Sequence, residues 1–225
     1  MKIFVKSSNR ACALDRCLWS IGENVSGHDG IVVLDDGIEE RFLERIADKH
    51  KKAEFRRSPH GVEKQSIARE TCEDLHKQFV ERGWDPAQFW HREIVADAGA
   101  YITIAEEDCW FQQPLDLASV EENLINRNTV LLSLRTNTHD DVSKLQIFAD
   151  KLPGSLTLDY YQPVIQGLHN VGTIFPTTMA VYRREYWCHA VGKLTNFLME
   201  IHAITGAVEY LSEAQMAGEL LRFAT

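Results

Sequence analysis

Two acidic clusters, Asp35–Asp36 and Glu106–Asp108, contain the residues best suited to do chemistry. Each cluster directly follows an apolar segment of strand length. Adjacent carboxylates repel one another, and a bound cation relieves that repulsion. Hard cations such as Mg²⁺ and Mn²⁺ take oxygen ligands and share them with substrate phosphates. The clusters therefore predict a site for a divalent cation and a phosphate-bearing ligand. The alternative is that both are ordinary solvated turns.

The apolar residues around these clusters alternate between strand and helix patterns. Ile31–Leu34 is a continuous apolar run, which is typical of a strand buried on both faces of a parallel sheet. Leu14–Ile21 places apolar residues at helical spacing, and Glu39–His50 does the same after the second strand. This strand–helix–strand–helix order predicts a parallel sheet. Such sheets bind ligands at the carboxyl ends of their strands, where both acidic clusters would lie.

The remaining elements continue this α/β pattern. Helices are predicted over His60–Arg82, Ala87–Ala98, Glu185–Ile204 and Leu211–Phe223, the last with Ser212 as its N-cap. Strands are predicted over Lys2–Lys6, Ala53–Arg57, Tyr101–Ala105, Thr129–Leu134 and Ile174–Tyr182. The polar segment Asp140–Pro153 fits neither pattern clearly.

Composition narrows the possible functions. The chain has 225 residues, the length of one domain, and its composition is that of a globular protein. A net charge of −9 argues against general nucleic-acid binding but is compatible with a local phosphate site. The five cysteines include no C-x-x-C pair, and no apolar run reaches the roughly 20 residues that span a bilayer. We therefore expect a cytoplasmic protein with reduced thiols and no transmembrane segment.

Five stretches, in this order, resemble motifs of the family-2 glycosyltransferases, which have the GT-A fold. They are an Asn-Arg loop and an L-x-x-C-L-x-S-I helix at 6–21, V-V-L-D-D-G at 32–37, a helix start with Ala-Arg at 66–70, T-I-A-E-E-D at 103–108, and a strand that runs into R-R-E at 179–185. The fourth stretch stands where the family has its D-x-D metal motif. The motifs are distributed over roughly residues 3 to 190.

The resemblance implies a GT-A-type α/β fold with a mostly parallel central sheet and helices on both faces. It combines a Rossmann-like nucleotide-binding half with an acceptor half. We expect one domain over 1–225, with the nucleotide-sugar half over about 1–110 and the acceptor half over 111–225. The implied activity is metal-dependent, inverting transfer of a sugar from a nucleotide-diphosphate sugar, with a UDP-sugar as first choice. The acceptor, a glycan or a lipid-linked molecule, is not identified, and peripheral docking at a membrane stays open.

The same resemblance implies roles for individual residues. Asp108, helped by Glu106, would hold Mn²⁺ or Mg²⁺ against the departing diphosphate. The nucleotide sugar would contact Ser8, Arg10, Asp35, Asp36, Arg69, Glu106 and Glu107. A guanidinium is planar and permanently charged, which suits Arg10 and Arg69 to phosphate. The alternatives are a surface position for Arg10 and a helix salt bridge for Arg69.

An inverting reaction also needs a general base that takes the proton of the acceptor hydroxyl. The candidates are acidic residues after the central strands, namely Asp140, Asp141, Glu209 and Glu213. We select Glu213 and Asp141 as the catalytic candidates, with Glu213 first because it lies near the predicted start of the last helix. A helix N-terminus also attracts an acid through its dipole, so a structural role for Glu213 stays open.

Three features depart from the family pattern. The metal motif is Glu-Glu-Asp, Glu70 stands where asparagine is common, and Trp84–Gly99 is longer than usual and is either an insertion over the site or packing. The variant metal motif keeps open a non-catalytic, degenerate nucleotide-sugar-binding domain. A nucleotidyltransferase is a further alternative, which Ser7–Ala11 disfavours because this loop contains no glycine.

Histidines and tryptophans receive mainly structural predictions. His169, His189 or His202 could add a metal ligand, but surface or core roles are favoured. Trp110 follows Asp108 by two residues and could stack on a sugar ring. Core packing is nevertheless the favoured prediction for each of the five tryptophans.

Overall fold

The computed structural model describes residues 1–70, 78, 81–84, 86–97, 99–134, 144–151, 157–163, 179–192 and 199–224. The strands in these ranges are β1 Lys2–Ser7, β2 Val25–Ser26, β3 Ile31–Asp35, β4 Ala53–Arg57, β5 Tyr101–Glu106, β6 Leu115–Asp116, β7 Thr129–Ser133, β8 Lys144–Lys151, β9 Thr157–Pro163, β10 Ala180–Arg183 and β11 Arg222–Ala224. The helices are α1 Ala11–Asn24, α2 Glu40–Lys49, α3 Gly61–Glu70, α4 Pro86–Val95, α5 Leu117–Asn126, α6 Arg184–Gly192 and α7 Met199–Met216.

The described strands form a mixed central sheet in the order β4-β3-β1-β5-β10-β7-β11-β9-β8. The pairings of β1 with β3 and β5, and of β3 with β4, are parallel. Only β9 and β10 run against the other seven strands of this sheet, because their pairings are antiparallel. The predicted α/β class with a mostly parallel sheet is confirmed. A separate pair, β2 and β6, lies outside this sheet.

Helices cover both faces of the sheet, as predicted. On one face, α1, α2 and α5 pack against the side chains of Ile3, Val5 and Val33. On the other face, α4, α6 and α7 pack against Phe4 and Ile104. Successive strand residues point to opposite faces, so both layers follow directly from the apolar runs in the sequence.

The Trp84–Gly99 segment packs against the sheet. Phe89 and Ile94 of α4 are buried in the core of the second face, and the Trp90 indole Nε1 donates to the Leu34 carbonyl oxygen at 3.3 Å. The described part of this segment therefore packs against the sheet, and its Trp90 also lies beside Lys6 at the carboxyl end of β1.

The end of the chain differs from the sequence prediction. Ser212 lies inside α7 and its hydroxyl donates to the Val208 carbonyl at 2.7 Å, so the predicted N-cap is wrong. A serine can bond back to the carbonyl four residues earlier and so be accommodated within a helix. Residues 222–224 form β11 between β7 and β9 instead of continuing a helix. The polar segment that fitted neither pattern contains β8.

Other predicted boundaries also change. The sequence did not predict α5, whose N-cap Asp116 accepts from the Ala118 N–H at 3.2 Å. The helix predicted over 185–204 corresponds to α6 and the start of α7, and residues 193–198 between them lie outside the described residues. Most of the predicted 60–82 helix beyond α3 also lies outside them. No helix in the described part of the chain is long and apolar enough to cross a membrane.

Candidate functional site

The carboxyl ends of β3, β1 and β5 lie side by side. Ser7 pairs with Asp35 on one side of β1, and Lys6 pairs with Glu106 on the other. The ladder continues beyond the strands, because the Asp36 N–H donates to the Ser7 carbonyl at 2.8 Å. Both acidic clusters therefore lie at the same edge of the sheet, separated by one strand.

Asp35 builds the turn that follows β3. Its side chain is 0% exposed, and Oδ1 accepts the backbone N–H groups of Gly37 at 3.1 Å and Ile38 at 2.8 Å. Its Oδ2 lies 3.2 Å from the Arg57 Nε. Burial raises the pKa of Asp35 even though these neighbours act in the opposite direction. At least one carboxylate oxygen of Asp35 is therefore already occupied by hydrogen bonds within the protein.

Gly37 brings the turn after β3 against the loop after β1. Its φ is +150°, and a Cβ atom on it would lie 3.2 Å from the Ser8 carbonyl oxygen. Both facts favour glycine at this position, because L side chains rarely adopt this backbone conformation and the contact is tight. The backbone conformation and the close packing at this turn therefore explain the glycine that ends the V-V-L-D-D-G motif.

Asp36 forms a buried ion pair with Lys64 of α3. The Lys64 Nζ lies 2.6 Å from Asp36 Oδ2, and both side chains are buried. The other carboxylate oxygen, Oδ1, is buried without a hydrogen-bond partner, as is the Ser7 Oγ on the neighbouring strand. Buried polar atoms without partners are costly, and these two lie next to each other at the ends of β1 and β3.

Glu106 is paired within the chain. Its Oε1 lies 2.7 Å from the Nζ of the buried Lys6, and the Glu106 side chain is 32% exposed. The Lys6 Nζ also lies 5.3 Å from the centroid of the Trp90 ring, a distance typical of a cation–π contact. Glu106 is therefore held at the side of the sheet that α4 covers.

Arg10 joins the other two acids of the second cluster. Its Nε lies 3.1 Å from Oε1 of the buried Glu107, and its Nη1 lies 2.7 Å from Oδ2 of Asp108. The same Glu107 oxygen accepts the Ser8 hydroxyl at 3.1 Å. The structure thus brings together four predicted site residues: Ser8, Arg10, Glu107 and Asp108.

Asp108 and Glu106 are the two predicted metal ligands, and in the structure Asp108 pairs with Arg10 while Glu106 pairs with Lys6. The Asp108 side chain is 41% exposed, and both groups offer the hard oxygen ligands that Mg²⁺ and Mn²⁺ prefer. Within the described ranges, no group of three or more His, Cys, Asp or Glu side chains is arranged to hold a metal alone. Waters and substrate phosphates would supply the other ligands, as is common for Mg²⁺.

Cys17 lies close to this cluster but is not a nucleophile at neutral pH. Burial, followed by the nearby Cys109, Glu107 and Asp108, raises the pKa of Cys17 to about 12. Nucleophilic attack by cysteine requires the thiolate, which this environment suppresses. The chemistry of the edge is therefore that of carboxylates and cations.

Glu213 is not brought to this edge. It is exposed in the last turn of α7, after which the chain enters β11. Arg222, the first residue of β11, pairs with Thr129 at the amino end of β7. Glu213 and the acidic clusters therefore lie at opposite edges of the sheet. Glu209 lies one turn earlier in the same helix.

Two other predicted residues fall outside the described part of the structure, and the side chain of a third is not described. Asp140 and Asp141 lie in the range 135–143, and Arg69 lies in α3 with a side chain that is not described. Of the histidines, His169 and the His202 side chain are likewise not described. His189 packs with its ring centroid 5.5 Å from that of Tyr210, between α6 and α7.

The prediction of core packing is wrong for two tryptophans. Trp19 is 52% exposed on α1, and Trp110 is 36% exposed next to the Glu106–Asp108 cluster. The Arg16 guanidinium lies 4.2 Å from the centroid of the Trp110 ring and covers part of the face of that ring. Trp187, in contrast, is buried in the core. An aromatic ring can be stabilised at the surface by a cation as well as by burial.

Sequence reasoning missed the cations that pair with the acids. Lys6, Arg57 and Lys64 each contact one of the two clusters. Lys6 gave a signal, since it stands at the carboxyl end of an otherwise apolar strand and must be buried there. Lys64 gave none, because a lysine in an amphipathic helix is normally solvated.

The fold is that of the GT-A glycosyltransferases, which confirms the predicted fold class. No protein-family model matches the chain, and no curated protein matches it by sequence. The similarity therefore comes from solved structures alone.

Three of these structures are similar over nearly the whole chain. Residues 1–349 of S. aureus TarS, in complex with UDP, share 10% identity at a TM-score of 0.55, over 99% of this chain and 57% of that one. Glucosyl-3-phosphoglycerate synthase from Mycobacterium tuberculosis, with Mn²⁺, UDP and glucosyl-3-phosphoglycerate, shares 13% at 0.53, over 99% and 68%. The mannosyltransferase PcManGT from Pyrobaculum calidifontis, with GDP-Man and Mn²⁺, shares 14% at 0.51, over 98% and 53%. The chain spans only 33% of the length of a longer TarS structure.

Proposed function

We propose that the protein is a glycosyltransferase that moves a sugar from a nucleotide-diphosphate sugar to an acceptor hydroxyl with the help of a divalent cation. The observation that carries this proposal is the arrangement at the carboxyl edge of β3, β1 and β5. Two acidic clusters meet there in register, and Asp108 stays partly exposed. The ligands named with the similar structures, UDP, GDP-Man and Mn²⁺, support the same chemistry.

The nucleoside would bind beside the ends of β1 and β3. The Asp36 Oδ1 and the Ser7 Oγ are buried there without partners, and a base N–H or a ribose hydroxyl can donate to them. Asp35 would act mainly by shaping the turn against which the nucleoside lies. Arg69 stays a candidate for base or phosphate contacts. We take UDP as the first choice because two of the similar structures contain it.

The diphosphate would lie beside Asp108 and Arg10. Asp108, with Glu106, would hold Mn²⁺ or Mg²⁺, and the bound cation offsets the negative charge that develops on the departing diphosphate. Arg10 would donate to phosphate oxygens, since a guanidinium binds them through two parallel hydrogen bonds. Glu107 would keep Arg10 in place through its contact with Nε.

The transfer itself needs a base and an acceptor. The acceptor oxygen forms the new bond to the anomeric carbon, the bond to the diphosphate breaks, and the proton of the acceptor hydroxyl passes to a carboxylate. We propose Asp141 for this role in an inverting reaction. It follows β7 in the sequence, and β7 ends at the same edge of the sheet as β5. Glu213 loses its place as first choice because α7 carries it to the opposite edge.

The wider organisation is part of the proposal. Residues 1–110 would bind the nucleotide sugar, and residues 111–225 would bind a glycan or lipid-linked acceptor within one domain. We also propose a cytoplasmic location, with peripheral docking if the acceptor is a membrane lipid.

A second candidate is a nucleotide-sugar-binding domain that has lost catalysis. The observation that favours it is that each acid of the second cluster pairs with a lysine or arginine of the chain itself. Such pairing can replace a metal as the source of positive charge. The two candidates agree on nucleotide binding and differ in whether the donor is turned over.

The proposed nucleotide site is tested by thermal unfolding with UDP, GDP, CMP and dTDP, each with and without Mn²⁺. A nucleotide at 100 times its Kd should stabilise the protein by about 2.7 kcal/mol. We expect one nucleotide to do so with Mn²⁺, and the effect to disappear in Asp108→Ala. The control Asp48→Ala removes an exposed acid of α2 and should respond like the unmodified protein. No response to any nucleotide would overturn both candidates.

A further inference from the structure

Arg10 stands where it competes with a cation for Asp108. Its Nη1 lies 2.7 Å from Asp108 Oδ2, well within the distance of an ion pair. A divalent ion on the same carboxylate would lie within a few ångströms of the guanidinium, and two positive groups repel strongly at that distance. Arg10 in its present position therefore lowers the affinity of Asp108 for a metal ion.

The two contacts of Arg10 differ in how firmly they are fixed. Glu107 is buried and its Oε1 also accepts the Ser8 hydroxyl, so the Nε contact is an anchor. Asp108 is 41% exposed and the Arg10 side chain is 53% exposed, so the Nη1 contact faces solvent. The outer end of the guanidinium can leave Asp108 while Nε stays on Glu107.

The backbone at Arg10 takes no part in this movement. Arg10 is the residue before α1, and its carbonyl accepts the Leu14 N–H at 3.0 Å. Its side chain makes no capping hydrogen bond to the helix. A substitution of the side chain thus leaves the start of α1 intact.

We propose that Arg10 is a built-in counter-ion of Asp108 that gives way when the cation and the nucleotide diphosphate bind together. The inference rests on the proposed function and adds to it. The diphosphate offers Arg10 new oxygen partners at the moment when the cation takes Asp108. Cation and nucleotide therefore strengthen each other's binding by the same factor, and the cation alone binds weakly. Arg10 is a positioning residue that makes metal binding depend on the donor.

The test measures Mn²⁺ binding directly, through the electron paramagnetic resonance signal of the free ion, with and without UDP. Without UDP, we expect Arg10→Gln to bind Mn²⁺ about tenfold more tightly than the unmodified protein. With UDP, the unmodified protein should gain about tenfold or more in Mn²⁺ affinity, and Arg10→Gln should gain less, because it keeps only the gain that comes from phosphate oxygens on the cation. The matched control is Arg41→Gln, because Arg41 is an exposed arginine whose Nε pairs with Glu39 at 3.0 Å. It should behave like the unmodified protein.

The outcomes separate this inference from the function on which it rests. Equal Mn²⁺ affinity of Arg10→Gln and the unmodified protein without UDP, together with UDP-dependent Mn²⁺ binding, overturns the role of Arg10 and keeps the proposed function. If none of the three proteins binds UDP or Mn²⁺, both the role of Arg10 and the proposed function are overturned. An equal gain in Arg41→Gln would show a general charge effect and would also overturn the role of Arg10.

Discussion

The two acidic clusters are alike in sequence but differ in how far their side chains are exposed: both acids of the first are buried, whereas the second combines the buried Glu107 with the exposed Asp108. Asp35–Asp36 is buried, and its oxygens cap a turn and pair with the buried Lys64. Glu106–Asp108 ends in an exposed aspartate that pairs with a half-exposed arginine, Arg10. The first cluster therefore builds the edge of the site, and the second is the part that can exchange partners with a ligand.

The difference arises from what each strand end meets. β3 is flanked by β1 and β4, and α3 places Lys64 against its end. The chain beyond β5 turns away at once, since the Cys109 N–H donates to the Glu106 carbonyl at 3.0 Å. That turn points Asp108 outward. Whether acidic residues after a strand have a structural or a functional role therefore depends on the side chains that surround them.

The largest effect should come from breaking the buried pair at the first cluster. Lys64→Met leaves Asp36 buried without its counter-ion and should lower the free energy of unfolding by about 3–5 kcal/mol, measured by urea denaturation. Lys49→Met removes an exposed partner of Asp15 and should cost at most about 1 kcal/mol. Equal costs for the two variants would contradict the contrast between buried and exposed pairs.

A smaller effect is expected at the second cluster. Lys6→Met removes the partner of Glu106, which can then turn to solvent because its side chain is 32% exposed. The loss in the free energy of unfolding should be about 1.5–3 kcal/mol, and less than that of Lys64→Met in the same denaturation assay. A loss larger than that of Lys64→Met would reverse the order of the two clusters.

Asp35→Asn tests the buried charge through its pH dependence. Burial raises the pKa of Asp35, so the folded protein holds this proton more tightly than the unfolded chain, and ionisation costs stability as the pH rises through the folded pKa. Asparagine keeps an oxygen for the Gly37 and Ile38 N–H groups and removes the charge. The stability of Asp35→Asn relative to the unmodified protein should therefore increase from pH 3 to pH 7. Denaturation curves at both pH values give this difference, and a decrease would contradict the assignment.

The smallest effect is expected for Ser8→Ala. Glu107 would lose the 3.1 Å hydrogen bond from the serine hydroxyl but keep its contact with Arg10. The free energy of unfolding should fall by about 0.5–1.5 kcal/mol, which chemical denaturation can resolve. A loss as large as that of Lys64→Met would mean that Ser8, and not Arg10, holds the buried Glu107.

The sequence predicted the elements that carry the acids and missed how the acids are partnered. Apolar runs such as Ile31–Leu34 and the helical face of Leu14–Ile21 are local signals, and the structure has β3 and α1 there. The Asp36–Lys64 pair depends on how α3 packs against β3, and spacing along the chain does not contain that information. Glu213 is a second example of a position that local sequence does not predict. Its distance from the site depends on where α7 begins and on where β11 inserts into the sheet.

The most direct test of the account is turnover of the donor. Nucleotide release from UDP-sugars and GDP-sugars is measured with Mn²⁺, for the unmodified protein, Asp108→Ala and the control Asp48→Ala. A transferase should slowly transfer the sugar of one type of donor to water and so release the nucleotide. Asp108→Ala should abolish this release, and Asp48→Ala should retain it. Binding of a nucleotide with Mn²⁺ but no release from any donor would contradict the catalytic claim and favour the nucleotide-sugar-binding domain.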